Sequence, residues 1–131
     1  MMKLSFTAFR VNCTHPFGIS RGSHDYYDIV YVYLEGEGIV GRGEAAPSAR
    51  YNEFIEGITK ILEEGISLPD TMDDPVEFSN VVLPQSKGIK SLEVALSMAI
   101  LDWWCQKEGI SLFEYFGANP DKTPKISFTI S

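Results

Sequence analysis

Nowhere does the sequence hold an uninterrupted apolar run near the roughly 20 residues that a membrane-spanning helix requires. No membrane partner is therefore expected. Basic residues are scarce and scattered singly: 11 Lys and Arg stand against 18 Asp and Glu, a formal charge of −7. Phosphate recognition draws on clustered positive charge, so no nucleic-acid partner is expected. There are two cysteines, Cys13 and Cys105, without CxxC spacing, and two histidines. So few ligands this widely dispersed do not make a metal site. Two free thiols in a reducing compartment are expected rather than a disulfide. Ser5, Thr7, Arg10 and Asn12 interrupt the first apolar residues, which denies the N-terminus a signal-peptide core. A cytoplasmic protein is expected.

What is present is an ordinary globular composition. The 131 residues are 44% hydrophobic and 22% charged, enough for one domain with its own core. Residues 4–13 alternate as a strand, but the apolar parity changes between Ala8 and Phe9, which implies either a bulge or a change of covered face. Residues 15–25 carry Pro16, Gly18 and Gly22 among polar neighbours and read as a loop. The β-branched and aromatic run YDIVYVYL at 27–34 is the strongest strand. Glu35-Gly36-Glu37-Gly38 supplies a tight reversal, and residues 39–44 return as the partner strand.

Residues 45–51 form a second polar loop. Phe54, Ile55, Ile58, Ile61 and Leu62 follow helical spacing, and Gly65 terminates that helix. After a connector with two prolines comes a short helix over 76–82. The longest helix runs over about 88–107; between Leu92 and Trp104 only Glu93, Ser97 and Asp102 are polar, so it is expected to be buried on most sides. Gly109 ends it, and Ser111 caps a short turn through Phe116. ISFTIS at 126–131 has another strand pattern. The order, a three-stranded antiparallel meander followed by helices, defines an α+β fold.

Four segments in this order carry a resemblance: PFGISRG at 16–22, GRGEAAPSARY at 41–51, ALSMAILDWWCQKEGISLFEYFG at 95–117, and the final SFTIS. Together they resemble the N-terminal capping domain of the enolase superfamily, in its muconate-lactonizing branch, and are most like the dipeptide epimerases. The resemblance implies a capping domain over 1–117, then a connector and first strand of a TIM-type barrel over 118–131. A barrel needs roughly 200 residues or more, so the rest of it is absent and the chain is expected to be a fragment. In this family Lys or His bases abstract a proton next to a carboxylate while Mg²⁺ stabilises the enediolate. Those bases and the metal-binding carboxylates lie on later barrel strands. The resemblance thus implies no catalytic residue and no metal ligand in this chain, which alone is expected to be inactive. The parent would be an isomerase acting on the α-carbon of a dipeptide, with Mg²⁺ as its cofactor.

The family's capping domain contributes specificity through two loops that close over the substrate, here matching 17–26 and roughly 47–52. Arg21 matches a residue suited to hold a substrate carboxylate through two parallel hydrogen bonds. His24 stands where epimerases of Ala-Glu dipeptides carry an arginine, and either contacts the substrate or faces solvent. Neutral histidine is a weaker carboxylate partner, so Ala-Glu specificity is not expected. Ile19 and Tyr51 are candidates for an apolar wall around a substrate side chain, with Tyr51 packing against the following helix as the alternative. Thr129 matches a barrel-strand threonine that contacts the dipeptide. Glu44 is read as anchoring a loop through backbone N–H groups rather than as a general acid or base. Asp102, in an apolar helix, is read as a structural acceptor, and Trp103 and Trp104 as core and interface aromatics. The competing functions are the capping domain of a muconate cycloisomerase or o-succinylbenzoate synthase, and a non-enzymatic binding module. Self-association into a homo-oligomer is left open.

Overall fold

Val30, Val32 and Leu34 point to one side of a single strand, and each is almost wholly buried, at 0%, 0% and 1% exposure. They mark the centre of a three-stranded antiparallel sheet of order β1-β2-β3, with β1 at Lys3–Ile19, β2 at Gly22–Gly36 and β3 at Ile39–Ala45. The computed structural model describes residues 1–19, 22–128 and 130, the side chain of Ile19 excepted. Between β2 and β3 the reversal is made by Glu37 and Gly38, with φ of 52° and 75°. Positive φ at both positions is what a two-residue hairpin turn requires.

Four helices follow: α1 at Ile55–Glu64, α2 at Pro75–Val82, α3 at Lys90–Glu108 and α4 at Leu112–Tyr115. Their ends carry local signals. Asp74 caps α2 by accepting from the Val76 N–H at 2.9 Å, with Pro75 opening the first turn. Gly109 closes α3 in the left-handed region. Ser111 caps α4: its Oγ accepts from the Glu114 N–H at 3.2 Å and its hydroxyl donates to the Glu114 carboxylate at 3.1 Å.

The helix α3 packs directly on β3 because two glycines let it. A Cβ at Gly41 would overlap the Ala99 carbonyl and lie 2.7 Å from the Trp103 Cβ; one at Gly43 would overlap the Ala95 carbonyl. Ala95, Ala99 and Trp103 recur every four residues along one helix face, and the helix backbone at these positions seats against the two glycines, where the strand carries no side chain. Two polar contacts then lock α3 to β3, and a third ties it to the end of β2. Asp102 Oδ2 accepts from the Arg42 N–H at 2.9 Å, Gln106 Nε2 donates to the Val40 carbonyl at 2.8 Å, and Trp103 Nε1 donates to the Gly36 carbonyl at 3.1 Å. The open edge of β3 is thereby satisfied by a helix rather than by another strand. Asp102 is the structural acceptor that its place in the sequence implied.

Three expectations meet a different structure. Residues 15–25 do not leave the sheet as a loop: β1 and β2 stay paired through Phe17–His24, Gly18–Ser23 and Ile19–Gly22. The pairing breaks only between Asn12 and Phe17, where four residues of β1 stand opposite Asp25 alone. Pro16, which has no N–H to contribute to a ladder, lies in that break. The parity change at Ala8/Phe9 is a change of covered face, since the register runs unbroken from Lys3 to Asn12. Leu4 and Phe6 pack on the core, whereas Phe9 meets Tyr31 edge-on across the opposite face, ring centroids 4.7 Å apart.

Second, α3 buries one side only. Val94 and Met98 are 54% and 46% exposed and, with Leu101 and Leu112, line an open apolar groove of about 550 Å³. Third, among the described residues of 126–131 there is no strand, and Ile126, Phe128 and Ile130 stand in solvent. A strand requires a partner ladder, and β1, β2 and β3 pair only with one another.

Candidate functional site

The distal halves of β1 and β2 project from the sheet as a two-stranded arm exposed on both faces. Its base is tied by one cluster. The Arg10 guanidinium makes two hydrogen bonds to Asp28, at 2.8 and 3.2 Å, and lies 3.8 Å over the Tyr26 ring. The hydrogen bond with Asp28 raises the Arg10 pKa further above its ordinary value. The same bond lowers that of Asp28, against a smaller opposing effect of desolvation.

Beside the arm runs the segment 46–54, which leaves the sheet where Ala45 pairs with Val30. It includes a 3₁₀ turn, Ala49–Tyr51, followed by Asn52 in the left-handed region. Glu53 anchors this segment to a distant helix. Its carboxylate accepts from the Lys90 N–H at 2.7 Å and the Ser91 N–H at 3.3 Å, the first two residues of α3. The residue before them, Ile89, offers no side-chain cap. Glu53 thus supplies both an acceptor and a negative charge at a helix N-terminus. Burial opposes its ionisation, but the hydrogen bonds from the start of α3 outweigh it, and the Glu53 pKa lies below the ordinary carboxylate value. The anchoring role expected of Glu44 belongs to Glu53; among the described residues Glu44 makes no side-chain hydrogen bond.

Arm and segment enclose an open cleft of about 420 Å³. Ile29, 7% exposed and outside the main core, forms part of its wall. His24 also lines it, its ring tilted against Tyr27 with centroids 5.1 Å apart. Of the candidate site residues singled out in the sequence, His24 is, among the described residues, the one placed in the cleft. Tyr51 lies outside its lining, 68% exposed, with the Arg50 guanidinium 5.5 Å over its ring. The backbone of Ile19 pairs with Gly22; its side chain, and all of Arg21 and Thr129, lie outside the described residues. Sequence reasoning missed Arg10, Asp28, Glu53 and Phe54. Arg10 and Asp28 become partners only through strand register, and Glu53 through a contact 37 residues away.

Among the described residues no group of three His, Cys, Asp or Glu side chains could hold a metal ion, and no helix is long and apolar enough to cross a membrane. Cys13 and Cys105 are both free thiols.

A three-stranded meander with its long hairpin arm, backed by a helix docked on β3, is the fold of the N-terminal capping domain of the enolase superfamily. Within that class the sequence is similar to dipeptide epimerases. It is 30% identical to an L-Ala-D/L-amino acid epimerase of Flavobacterium johnsoniae, over 98% of this chain and 39% of that protein. It is 27% identical to the L-Ala-D/L-Glu epimerase of Bacteroides thetaiotaomicron, over 98% of this chain and 34% of that protein. Among solved structures, the dipeptide epimerase of Cytophaga hutchinsonii complexed with Mg and D-Ala-L-Val superimposes with a TM-score of 0.75 at 22% identity, over 91% of this chain and 33% of that one. No family model matches the sequence. The chain therefore spans between a third and two-fifths of the length of these relatives and corresponds to their N-terminal part.

Proposed function

We propose that this chain is the substrate-capping and specificity domain of a Mg²⁺-dependent dipeptide epimerase, an isomerase acting at the α-carbon of the dipeptide's C-terminal residue. The observation that carries this reading is the convergence of the arm and segment 46–54 on one cleft, in a chain similar over its length to the N-terminal part of epimerases. Residues 1–117 are the cap, and 118–131 the connector and first strand of a barrel. The apolar groove on α3 and the bare side chains of Ile126, Phe128 and Ile130 fit a chain whose barrel would cover them. The curated relatives named above are epimerases, which favours epimerisation over muconate cycloisomerisation or o-succinylbenzoate synthesis.

In this reading the cap does not carry the proton transfer. Its arm and segment close over the substrate, exclude water and orient the side chain, with Arg21 holding a substrate carboxylate and Ile19, His24, Tyr51 and Thr129 as further contacts. In this reading the carboxylates that hold the Mg²⁺ belong to the barrel. A cytoplasmic setting keeps Cys13 and Cys105 reduced.

The test is α-proton exchange in D₂O, followed by proton NMR on L-Ala-L-Xaa dipeptides with Mg²⁺ present. The complete enzyme is expected to wash out the α-proton of the C-terminal residue, and the 131-residue chain alone to leave it in place. Exchange by the isolated chain would overturn the division of labour. Absence of exchange by the complete enzyme with every dipeptide would overturn the function.

A further inference from the structure

The sheet has two apolar faces and a helical covering for one. Buried side chains of α1, α2 and α3 form a single cluster with Val30, Val32 and Leu34, so among the described residues the helical layer lies on that side alone. The opposite face carries Phe9 and Val11 from β1 and Tyr31 and Tyr33 from β2, with Val11 and Tyr31 41% and 37% exposed. An antiparallel sheet with one face in water alternates apolar with polar residues. Residues 29–34, IVYVYL, do not alternate, which is the pattern of a strand covered on both sides. Tyrosine suits a surface that is wet when alone and covered when joined, since its ring is apolar and its hydroxyl stays hydrogen-bonded at the rim.

We infer that this outer face docks a second copy of the chain about a two-fold axis. Charge selects that occupant. Each chain has a formal charge of −7, so identical copies repel unless the contact itself is neutral. On this face Arg42 and Glu44 stand two residues apart on β3, opposite Tyr33 and Tyr31 in register. Among the described residues neither has an ion pair; Arg42 is tied by its backbone N–H to Asp102. A two-fold axis crossing the strands between these rows sets Arg42 over Glu44 of the second copy, Glu44 over its Arg42, and Tyr31 against Tyr33. A partner of one charge sign would meet its own sign at one of the two positions. Strand spacings of about 4.8 Å and rises of about 3.4 Å over roughly nine residues give a patch of about 400 Å² per copy. That is the size of a reversible dimer with a dissociation constant in the micromolar range. The inference stands apart from the epimerase function.

Sedimentation equilibrium of the 131-residue chain tests it, with urea midpoints confirming that each variant is folded. The wild type is expected to pass from monomer to dimer as concentration rises. Tyr31→Lys, at the centre of the face, should weaken the dimer about thirtyfold or more, the size of a central aromatic contact. Arg42→Glu and Glu44→Arg each set like charges against each other twice across the axis and should weaken it about tenfold. The two substitutions together restore opposite signs and should restore the wild-type dimer, which a merely structural effect of either would not do. Met98→Lys, in the groove on α3, serves as the control and should leave the dimer unchanged. A wild type that stays monomeric at its highest soluble concentration overturns the inference and leaves the epimerase function standing. So does a dimer that Met98→Lys dissociates and Tyr31→Lys does not, because association then runs through the groove. Single charge variants that dimerise as well as the wild type, or a double variant that stays monomeric, overturn the two-fold arrangement.

Discussion

The two halves of β2 lie in one strand and obey different rules. From Val30 to Gly36 the strand has a neighbour on each side, and its inward side chains are buried beneath the helices. From Gly22 to Asp28 it pairs with β1 alone and every residue up to Tyr27 is exposed. In the first half burial of apolar surface fixes the structure. In the second, backbone pairing and one side-chain cluster do so, and a two-stranded ribbon without a buried face is marginal in water. The core half is held by buried apolar surface on its inward face. The arm can adapt to a ligand because little is buried there, which is how binding segments are usually drawn from the less stable parts of a fold.

The sharpest way to break the contrast is at the core end. Gly43→Ala places a methyl group on the Ala95 carbonyl, where the neighbour is helix backbone and cannot rotate away. We expect a loss of about 3 kcal/mol or more, at the upper end of overpacking costs, measured as a shift of the urea midpoint. Gly22→Ala, on the arm, has open space around its Cβ but a φ of 148° that strains any side chain there; because residues 22–27 are exposed, that strain should loosen the arm locally and leave the global midpoint almost unchanged. Equal losses at the two glycines would mean that arm and core unfold as one unit of similar stability.

Glu53 ties the segment beside the arm to the core helix α3, and its removal should have an intermediate effect. Glu53→Gln keeps the shape and withdraws the charge from the N-terminus of α3, with an expected cost of about 1 kcal/mol, the usual size of a lost cap. The sign of the pH dependence follows from the lowered pKa. A carboxyl that titrates below its ordinary 4.5 when folded stabilises the fold fully above that pH and loses the contribution as pH falls through the lower folded value. The gap between wild type and Gln variant should therefore be widest near pH 7 and close in acid. A gap that persists unchanged at pH 3 would show that shape rather than charge does the anchoring.

How much of this was legible beforehand follows the same division. The core half of β2, the helices α1 and α3, and the stops at Gly65 and Gly109 were all readable, because apolar periodicity and glycine caps are local signals. The arm read as a loop, since a ribbon exposed on both faces carries no alternation to reveal it. Burial of α3 was overestimated, because its apolar composition does not say how many of its faces find a partner. Gly41 and Gly43 were visible as residues; their purpose appears only when Ala95 and Ala99 are laid against them. In the site, His24 was singled out through family resemblance alone. Glu53 gave no signal, as its acceptors lie far along the chain and the sequence around it is an unremarkable polar turn.

The smallest effect on global stability, and the most specific to the arm, should come from Arg10→Ala. Arg10 and Asp28 are surface groups, and exposed ion pairs are screened by water and salt, so the urea midpoint should not move measurably. What should change is local. Without the two hydrogen bonds and the cation over Tyr26, the base of the arm loses the cluster that spans its strands just before the register break at Asn12. Amide exchange of residues 11–19 and 22–27 should then accelerate several-fold while Val30, Val32 and Leu34 keep their protection. Acid should mimic the mutation. The Asp28 carboxyl titrates below its ordinary 3.8 when paired, so the cluster persists above that pH and dissolves as pH falls through the lower value. Wild-type protection in the arm should also decline with added salt, and the variant's should not. If Arg10→Ala lowers the global midpoint as far as Glu53→Gln does, the arm is part of the cooperative core and the division within β2 is wrong.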